Sequence, residues 1–136
     1  MKITLTQRYQ FSAAHRLHSD FLDARTNIEL YEKCNNLNGH GHDYTLYVSV
    51  QGEPDPLTGM ILPLEEFDAI VKKTLDKLDY KHLDKEVDAF RSAISTSENI
   101  IQFLWDNISK DLKGAELFHI KLWETNNNYF EFGREN

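Results

Sequence analysis

Two histidines separated by one residue, His40 and His42, have the spacing in this sequence that points most directly to chemistry. They alternate with glycines in Gly39-His40-Gly41-His42. In extended backbone, residues two positions apart project from the same face, so both imidazoles can bind one ion. A third imidazole from a neighbouring strand would give a His₃ site with an open fourth position, as in catalytic zinc centres. The pair therefore predicts a metal centre at the start of a strand.

The third ligand is expected at the end of the preceding strand. His15 ends the segment Phe11-Ser12-Ala13-Ala14-His15, and pairing of the two strands would bring it beside the other imidazoles. His18, three residues later, is the alternative ligand. His119 falls in a later strand and is expected to be packed or solvated.

Cys34, the only cysteine of the chain, lies six residues before His40 in a polar loop. Free cysteines are usually buried as small hydrophobic residues, but the neighbours of Cys34 are polar. A divalent metal and a lysine would lower the pKa of its thiol and make it a competent base or nucleophile. It could instead be a fourth zinc ligand, which would close the site and make it structural. The sequence leaves both roles open.

Two carboxylates lie at the ends of predicted secondary-structure elements. Glu124 lies at the end of a strand, where a carboxylate can bind a guanidine-like edge through two parallel hydrogen bonds. Asp79 follows a predicted helix. Taken singly, either residue has the form of a solvated acid or a helix cap.

The strands that must position the histidines are predicted from alternating apolar residues. Residues 3–12 and 43–51 alternate as half-buried strands do. Between them, residues 18–38 indicate a long polar loop with a helical turn at Ile28–Tyr31, and Met60–Leu62 could add a short extended piece. Loops of this length in compact domains usually carry function.

The second half of the chain predicts two helices and a hairpin. Apolar residues recur at helical spacing over 64–77, and Ser95 with Glu98 has the form of a capping box before a second amphipathic helix. Glu116–Glu124 and Asn128–Phe132 are predicted to form an antiparallel hairpin. The order of elements predicts an α+β domain on an antiparallel sheet.

Composition limits the classes of protein to be considered. The chain has 136 residues, 40% of them hydrophobic and 27% charged, which fits one globular domain over residues 1–136. A net charge of −7 argues against general binding to nucleic acid or to anionic membranes. No apolar run approaches the length of a membrane span, and because the first residues lack the apolar block of a signal peptide, export is not expected. With one cysteine, a reducing cytoplasm is expected.

Six motifs, in order along the chain, resemble the 6-pyruvoyl-tetrahydropterin synthase family, which includes the 6-carboxy-tetrahydropterin synthases of queuosine biosynthesis. The resemblance covers about residues 8 to 133. The motifs are Phe11-Ser12-Ala13-Ala14-His15-Arg16-Leu17, Cys34-Asn35-Asn36-x-Asn38-Gly39-His40-Gly41-His42-x-Tyr44, Asp55-Pro56-x-Thr58-Gly59-Met60, Leu78-Asp79-x-Lys81-x-Leu83-Asp84, Ser95-Thr96-x-Glu98-Asn99 and Glu124-Thr125-x-Asn127-Asn128.

The resemblance implies an architecture that spacing alone does not. Members of the family have the tunnelling fold, a four-stranded antiparallel sheet with two helices on one face. Three sheets close into a barrel in a trimer, two trimers stack into a hexamer, and active sites lie between subunits. A homo-oligomer, trimer or dimer of trimers, is therefore expected.

The resemblance also implies roles for individual residues. It implies a lyase that acts on 7,8-dihydroneopterin triphosphate, releases triphosphate and needs zinc as cofactor. Carried over by position, the metal ligands are His15, His40 and His42, the catalytic cysteine is Cys34, the pterin-anchoring carboxylate is Glu124, and the segment lining the pterin pocket contains Thr96 and Glu98.

The chain departs from the family at one position. The family normally has a histidine directly after the aspartate of the Leu-Asp pair, and this histidine completes a Cys/Asp/His proton relay. Asp79 is kept here, but the next residue is Tyr80, and His82 lies two residues further on. An unperturbed Tyr, with a pKa near 10, relays protons less well at neutral pH than His. Asp79, Tyr80 and His82 are therefore the candidate relay residues.

Three functions follow from these observations. The six-residue separation of Cys34 from His40 favours the pyruvoyl-forming branch, which serves tetrahydrobiopterin biosynthesis, over the carboxy-forming branch, which also releases acetaldehyde. A non-catalytic pterin-binding protein is the second hypothesis, because of Tyr80. A closed structural zinc site with Cys34 as the fourth ligand is the third.

Overall fold

A β-sheet that includes the strands carrying the predicted histidines forms the centre of the fold. The structure is a computed structural model and describes residues 1–134. Its strands are β1 (Ile3–His15), β2 (His40–Gly52), β3 (Lys81–His82), β4 (Glu116–Thr125) and β5 (Asn128–Gly133). Its α-helices are α1 (Ala24–Tyr31), α2 (Leu64–Leu75), α3 (Leu83–Glu86), α4 (Ala89–Ser92) and α5 (Ser97–Asp111).

The sheet has the strand order β3-β1-β2-β4-β5. The four longer strands pair antiparallel, which confirms the predicted α+β fold. The two-residue strand β3 pairs parallel to β1. It was not predicted, because two residues are too few to show a periodicity.

The first two strands are longer than the sequence predicted. β1 continues past residue 12 to His15, and β2 begins at His40 rather than at residue 43. The extra residues include Ala13, Ala14 and Gly41, whose small side chains give no clear apolar alternation. Ladder pairing continues through them nonetheless, with His15 opposite His40 and Ala13 opposite His42.

One face of the sheet carries the hydrophobic core and is covered by α2 and α5. Burying each large apolar side chain contributes about 1.5–3 kcal/mol. The opposite face of β1 is exposed over its N-terminal half. The largest fully enclosed apolar side chains are those of Tyr44, Leu46, Val48, Phe67, Leu78, Leu83, Ile100, Leu104, Ile108, Ile120 and Leu122.

The cap of α5 differs from the prediction by one residue. Thr96, not Ser95, is the N-cap, since its hydroxyl accepts the backbone N–H of Asn99 at 3.3 Å. Ser95 turns its hydroxyl to Asp84 instead. The predicted Ser95–Glu98 capping box is therefore wrong, although a helix begins where it was expected.

The predicted loop between β1 and β2 contains a complete helix rather than a single turn. Asp23 caps α1 by accepting the backbone N–H of Thr26 at 2.7 Å, and a 3₁₀ turn over Glu32–Asn35 follows. Residues 60–62 form a bend, not an extended strand. No helix among residues 1–134 is both long and apolar enough to cross a bilayer.

Candidate active site

Three imidazoles converge where β1 ends and β2 begins. His15, His40 and His42 lie on the helix-covered face of the sheet, and their potential ligand atoms all lie within 4.8 Å of one another. The Nε2 atoms of all three are buried and have no hydrogen-bond partner among the described residues. Buried nitrogens normally find a partner, so this convergence of three lone pairs fits a metal ion.

The tautomer of His15 is fixed by its backbone acceptor. Its Nδ1 lies 2.7 Å from the carbonyl oxygen of Ser95. A carbonyl can only accept, so Nδ1 carries the proton and Nε2 keeps a lone pair with which it could bind an ion. The sequence could not predict this contact, because the two residues are 80 positions apart.

The other two imidazoles are held in the neutral form that metals bind. Burial lowers the pKa of His40, and the neighbouring His15 lowers it further. Burial also lowers the pKa of His42, against the opposing effect of Glu124. Both rings therefore enter metal binding without having to release a proton at neutral pH.

Cys34 lies on the 3₁₀ turn that leads towards β2. Its carbonyl accepts the backbone N–H of Leu17 at 2.8 Å, which ties this turn to the chain just after β1. The thiol is half-buried, and burial followed by the charge of Glu124 raises its pKa, while Lys33 lowers it. Cys34 is not part of the group of three imidazoles that could hold a metal.

Glu124, near the end of β4, lies on the same side of the sheet as the histidines. Its carboxylate accepts the hydroxyl of Ser97 at the start of α5 and, at 3.4 Å, the side-chain amide of Asn128. The negative charge of Glu124 acts to raise the pKa values of Cys34, His40 and His42. Ser97 was not singled out in the sequence, where nothing distinguishes it from other helix-start serines.

Of the two residues expected to line the pterin pocket, Thr96 is the N-cap of α5 and half-buried. Glu98 is exposed on the first turn of that helix. Thr96 therefore directly precedes Ser97, which donates to Glu124, whereas Glu98 faces solvent.

Asp79 and Tyr80 are hydrogen-bonded to Ser12, near the C-terminal end of β1. Asp79 accepts the backbone N–H of Ser12 at 2.9 Å, and the backbone N–H of Tyr80 donates to the carbonyl of Ser12 at 2.6 Å. Tyr80 has φ of +59°, an unfavourable conformation for a bulky residue, and its side chain is 86% exposed. The phenol therefore points away from its own chain.

The side chain of His82, unlike that of Tyr80, is mostly buried. Its side chain is only 18% exposed, and both ring nitrogens are buried and unpartnered among the described residues. A Cβ added to Gly39 would lie 2.7 Å from its Nε2, so the ring packs against the turn that precedes His40. Its Nδ1 lies 3.7 Å from Asp84.

The structure thus brings some of the predicted residues together and separates others. The histidine triplet, Cys34 and Glu124 share one end of the sheet. The charges that act on the Cys34 thiol come from Glu124, Lys33 and Glu32, whereas Asp79 is bound to the β1 backbone.

The remaining histidines lie outside the triplet. Nδ1 of His18, the alternative ligand, lies 3.2 Å from the side-chain amide of Asn35. His119 lies on β4 with Nε2 3.4 Å from Glu131. Among the described residues, neither ring joins the group that could hold a metal.

Known proteins resemble this chain over nearly its full length. The sequence profile of 6-pyruvoyl tetrahydropterin synthase matches residues 4–135. The 6-pyruvoyl tetrahydrobiopterin synthase of Homo sapiens is 43% identical over 125 residues, which cover 91% of this chain and 86% of that protein. The Drosophila melanogaster protein of the same name is 45% identical over 130 residues, covering 94% and 77%.

The fold agrees with a solved relative. The structure of Caenorhabditis elegans 6-pyruvoyl tetrahydropterin synthase superimposes with a TM-score of 0.93 at 36% identity and covers 99% of this chain and 97% of that one. The family resemblance carried by the six motifs is thereby confirmed. The chain belongs to the 6-pyruvoyl tetrahydropterin synthase family.

Proposed function

We propose that this protein is a zinc-dependent carbon–oxygen lyase that converts 7,8-dihydroneopterin triphosphate to 6-pyruvoyl-tetrahydropterin and releases triphosphate. The observation that carries the proposal is the convergence of three buried, unpartnered imidazole nitrogens at the sheet end that also holds Cys34 and Glu124. Membership of the family supplies the substrate class. The proposal treats the whole chain, residues 1–136, as one pterin-synthase-like domain.

Zinc is the metal that suits these ligands. His15, His40 and His42 would hold it through Nε2 and leave a coordination position for substrate. Bound zinc would polarise the oxygens of the substrate side chain, acidify the adjacent C–H and favour the thiolate form of a thiol in the same site.

Glu124 would hold the heterocycle. A carboxylate accepts two parallel hydrogen bonds from an amidine-like edge, such as the 2-amino and N3 edge of a pterin. Its Ser97 contact keeps the carboxylate oriented towards the helix start. Thr96, which precedes Ser97, would line the pterin pocket. Glu98 would act only at the rim of that pocket.

Cys34 would act as the base. Its thiolate would take a proton from the carbinol carbon next to the ring, and the C–H electron pair would pass to the ring C=N bond, so that this carbon is oxidised to a ketone as the ring is reduced. Loss of a proton from the neighbouring carbon would then form a C=C bond as the C–O bond to triphosphate breaks with its electron pair leaving on oxygen, and the resulting enol would become the second ketone. Burial and Glu124 raise the pKa of this thiol in the metal-free chain, and a cation bound in the site would oppose that rise.

Proton return would involve a second copy of the chain. Asp79 and the outward-facing Tyr80 are fixed to β1 and not to the turn that carries Cys34. In an assembly with active sites between subunits, these residues would reach the neighbouring copy's thiol. His82 is the candidate imidazole in place of the one that Tyr80 replaces.

Tyr80 also supports the second candidate function. A protein that kept the metal ligands and Glu124 but lacked an effective relay would bind pterin without releasing triphosphate. The carboxy-forming activity of queuosine biosynthesis would use the same ligands and would release acetaldehyde as well.

We also propose that the protein works in the cytoplasm. Cys34 must remain a free thiol to serve as the base, and a reducing compartment keeps it so.

Incubation of zinc-loaded protein with 7,8-dihydroneopterin triphosphate tests the proposal. Triphosphate, acetaldehyde and pterin products are followed by mass spectrometry. Release of triphosphate without acetaldehyde is expected. Acetaldehyde would identify the carboxy-forming reaction, and bound pterin without triphosphate release would identify a binding protein.

Two variants separate the roles within the site. Cys34→Ala should abolish turnover while zinc content is unchanged, since Cys34 lies outside the imidazole group. Loss of zinc together with the fold would show instead that Cys34 is a structural ligand. Glu124→Gln should weaken pterin binding, and Glu116→Gln, an exposed acid on the same strand, is the matched control.

A further inference from the structure

Asp84 is hydrogen-bonded to residues next to the proposed metal ligand His15. It has no role in the reaction proposed above. It belongs to the short helix α3, and its side chain is 24% exposed. One carboxylate oxygen accepts the backbone N–H of Arg16, the residue that follows His15. The other accepts the hydroxyl of Ser95 at 2.5 Å. Both oxygens are therefore engaged by donors on either side of the ligand.

Ser95 connects this carboxylate to the imidazole. The residue is completely buried, and its carbonyl oxygen is the acceptor 2.7 Å from Nδ1 of His15. Asp84 thus fixes the residue that orients the ring and also the backbone that follows the ring. The imidazole of His15 is thus held both through its own backbone at the end of β1 and through the Ser95 carbonyl before α5.

Contacts of this kind affect how strongly a metal is bound. A ligating histidine usually donates its second N–H to an oxygen acceptor, which fixes the tautomer and the direction of the ligating lone pair. Here the acceptor is a carbonyl in the loop between α4 and α5, so its position depends on what holds that loop. The carboxylate of Asp84 supplies a charge-assisted hydrogen bond for this purpose.

We propose that Asp84 is a positioning residue for the metal centre, which holds His15 in its ligating orientation through Ser95 and the Arg16 amide. The inference rests on the metal centre of the proposed function. It assigns no contact between Asp84 and the metal or the substrate. Its consequence is that removing the carboxylate weakens metal binding while all three imidazole ligands remain in place.

The test measures zinc affinity of the full-length, metal-free protein by competition with a chromophoric chelator, without any substrate. Asp84→Ala should raise the zinc dissociation constant by about 10-fold, the lower end of the usual effect of losing an outer partner, because Asp84 is one contact further from the metal than the Ser95 carbonyl. Ser95→Ala keeps the carbonyl but loses the hydroxyl, so it should change the constant in the same direction by less. Asp84→Asn, which can still accept from the Arg16 amide, should restore part of the affinity.

Asp68→Ala is the matched control. Asp68 accepts the hydroxyl of Tyr9 at 2.6 Å, so this variant also removes a carboxylate from a hydrogen bond between a helix and the sheet. Its zinc dissociation constant should stay within twofold of the wild-type value. A loss of zinc affinity equal to that of Asp84→Ala would show general destabilisation and would overturn the inference.

A double-mutant cycle with His15→Ala identifies the route of the effect. If Asp84 acts through His15, adding Asp84→Ala to a His15→Ala protein should change the residual zinc affinity by less than twofold. An equal loss in both backgrounds would overturn the inference. So would a folded Asp84→Ala protein with wild-type affinity.

Folding is monitored by circular dichroism. If Asp84→Ala does not fold, the result for Ser95→Ala decides, and unchanged affinity in that variant overturns the inference. A wild-type protein that binds no zinc would overturn the metal centre itself. Tight wild-type binding with no effect of these variants overturns the role of Asp84 alone.

Discussion

Tyr9 and Tyr44 lie on the same buried face of neighbouring strands, yet their hydroxyls have opposite surroundings. Tyr9 donates to Asp68 at 2.6 Å, whereas the hydroxyl of Tyr44 is buried without a partner among the described residues. Removing a satisfied hydroxyl costs about 1 kcal/mol, but removing an unsatisfied one is neutral or favourable. We expect Tyr9→Phe to lower the free energy of unfolding by about that amount and Tyr44→Phe to leave it unchanged or raise it.

Urea denaturation of the two metal-free variants, compared with the wild-type protein, checks this pair. An equal loss of stability in both would show that Tyr44 has a hydrogen-bond partner in the folded protein. The ring of Tyr44, stacked on Phe11 at 4.7 Å, is preserved in the Phe variant, so packing is matched.

The two histidines of lowered pKa predict how the stability of metal-free protein depends on pH. The unfolded chain takes up these protons near pH 6.5, whereas burial delays uptake by His40 and His42 in the folded chain. Their contribution is therefore complete above pH 6.5 and is lost as the pH falls through the lowered values. Thermal unfolding from pH 7.5 downwards should show a falling midpoint.

His42→Gln should reduce this dependence on pH, and His119→Gln on the same sheet is the control. A wild-type midpoint that stays constant below pH 6.5 would contradict the prediction. Zinc should raise the midpoint at neutral pH and lose this effect on acidification, since the ligands must be deprotonated.

The turn before β2 has a conformation that only glycine adopts easily, and it is also crowded. Gly39 has φ of +75°, and an added Cβ would lie 2.7 Å from the His82 ring and 2.8 Å from the carbonyl oxygen of His15. Gly59 has nearly the same φ, +73°, but no atom within 4 Å of an added Cβ. Gly59→Ala should cost about 1–2 kcal/mol from backbone strain alone.

Gly39→Ala should cost more than Gly59→Ala by about 1–3 kcal/mol, because a close contact is added to the same strain. It should also weaken zinc binding, since the crowded atoms belong to His82 and to the backbone of His15, a proposed metal ligand. Chemical denaturation and chelator competition measure both effects. Equal destabilisation by the two variants would contradict the crowding.

The elements that position the site could be predicted wherever the pattern of apolar side chains is clear. Alternation identified both strands and the hairpin, but it ended near residue 12, because the small residues before His15 carry no apolar signal. The convergence of His15, His40 and His42 could still be predicted, since the spacing of side chains in extended backbone does not depend on the exact residue at which a strand begins. The hydrogen bonds of Ser95, Ser97 and Asp84 could not, because they join segments distant in sequence.

Across the whole molecule, the sheet uses one face for the core and leaves both edges open. β3 covers β1 only at Ala13 and Ala14, so the edge over residues 3–12 has no partner strand within the described chain. At the other edge, β5 pairs with β4 alone among residues 1–134. Long free edges in a monomer promote association, and joining unlike edges head to tail closes a ring when the angle permits.

We therefore expect wild-type protein to elute as a trimer or a dimer of trimers at micromolar concentration, measured by size-exclusion chromatography with light scattering. Phe132 lies on the free strand β5, 41% exposed and against Trp105 of α5. A lysine there places a charge at the edge, so Phe132→Lys should shift the population to monomer. Phe21→Lys, at a 99% exposed position outside the sheet, should not.

Assembly and activity are then linked by the position of Tyr80. If the neighbouring copy supplies Asp79 and Tyr80 to Cys34, Phe132→Lys should lose triphosphate release as it dissociates. Zinc affinity should be retained, because the three imidazoles come from one chain. Circular dichroism confirms that the monomer is folded. A folded monomer with wild-type turnover would show that each chain holds a complete active site.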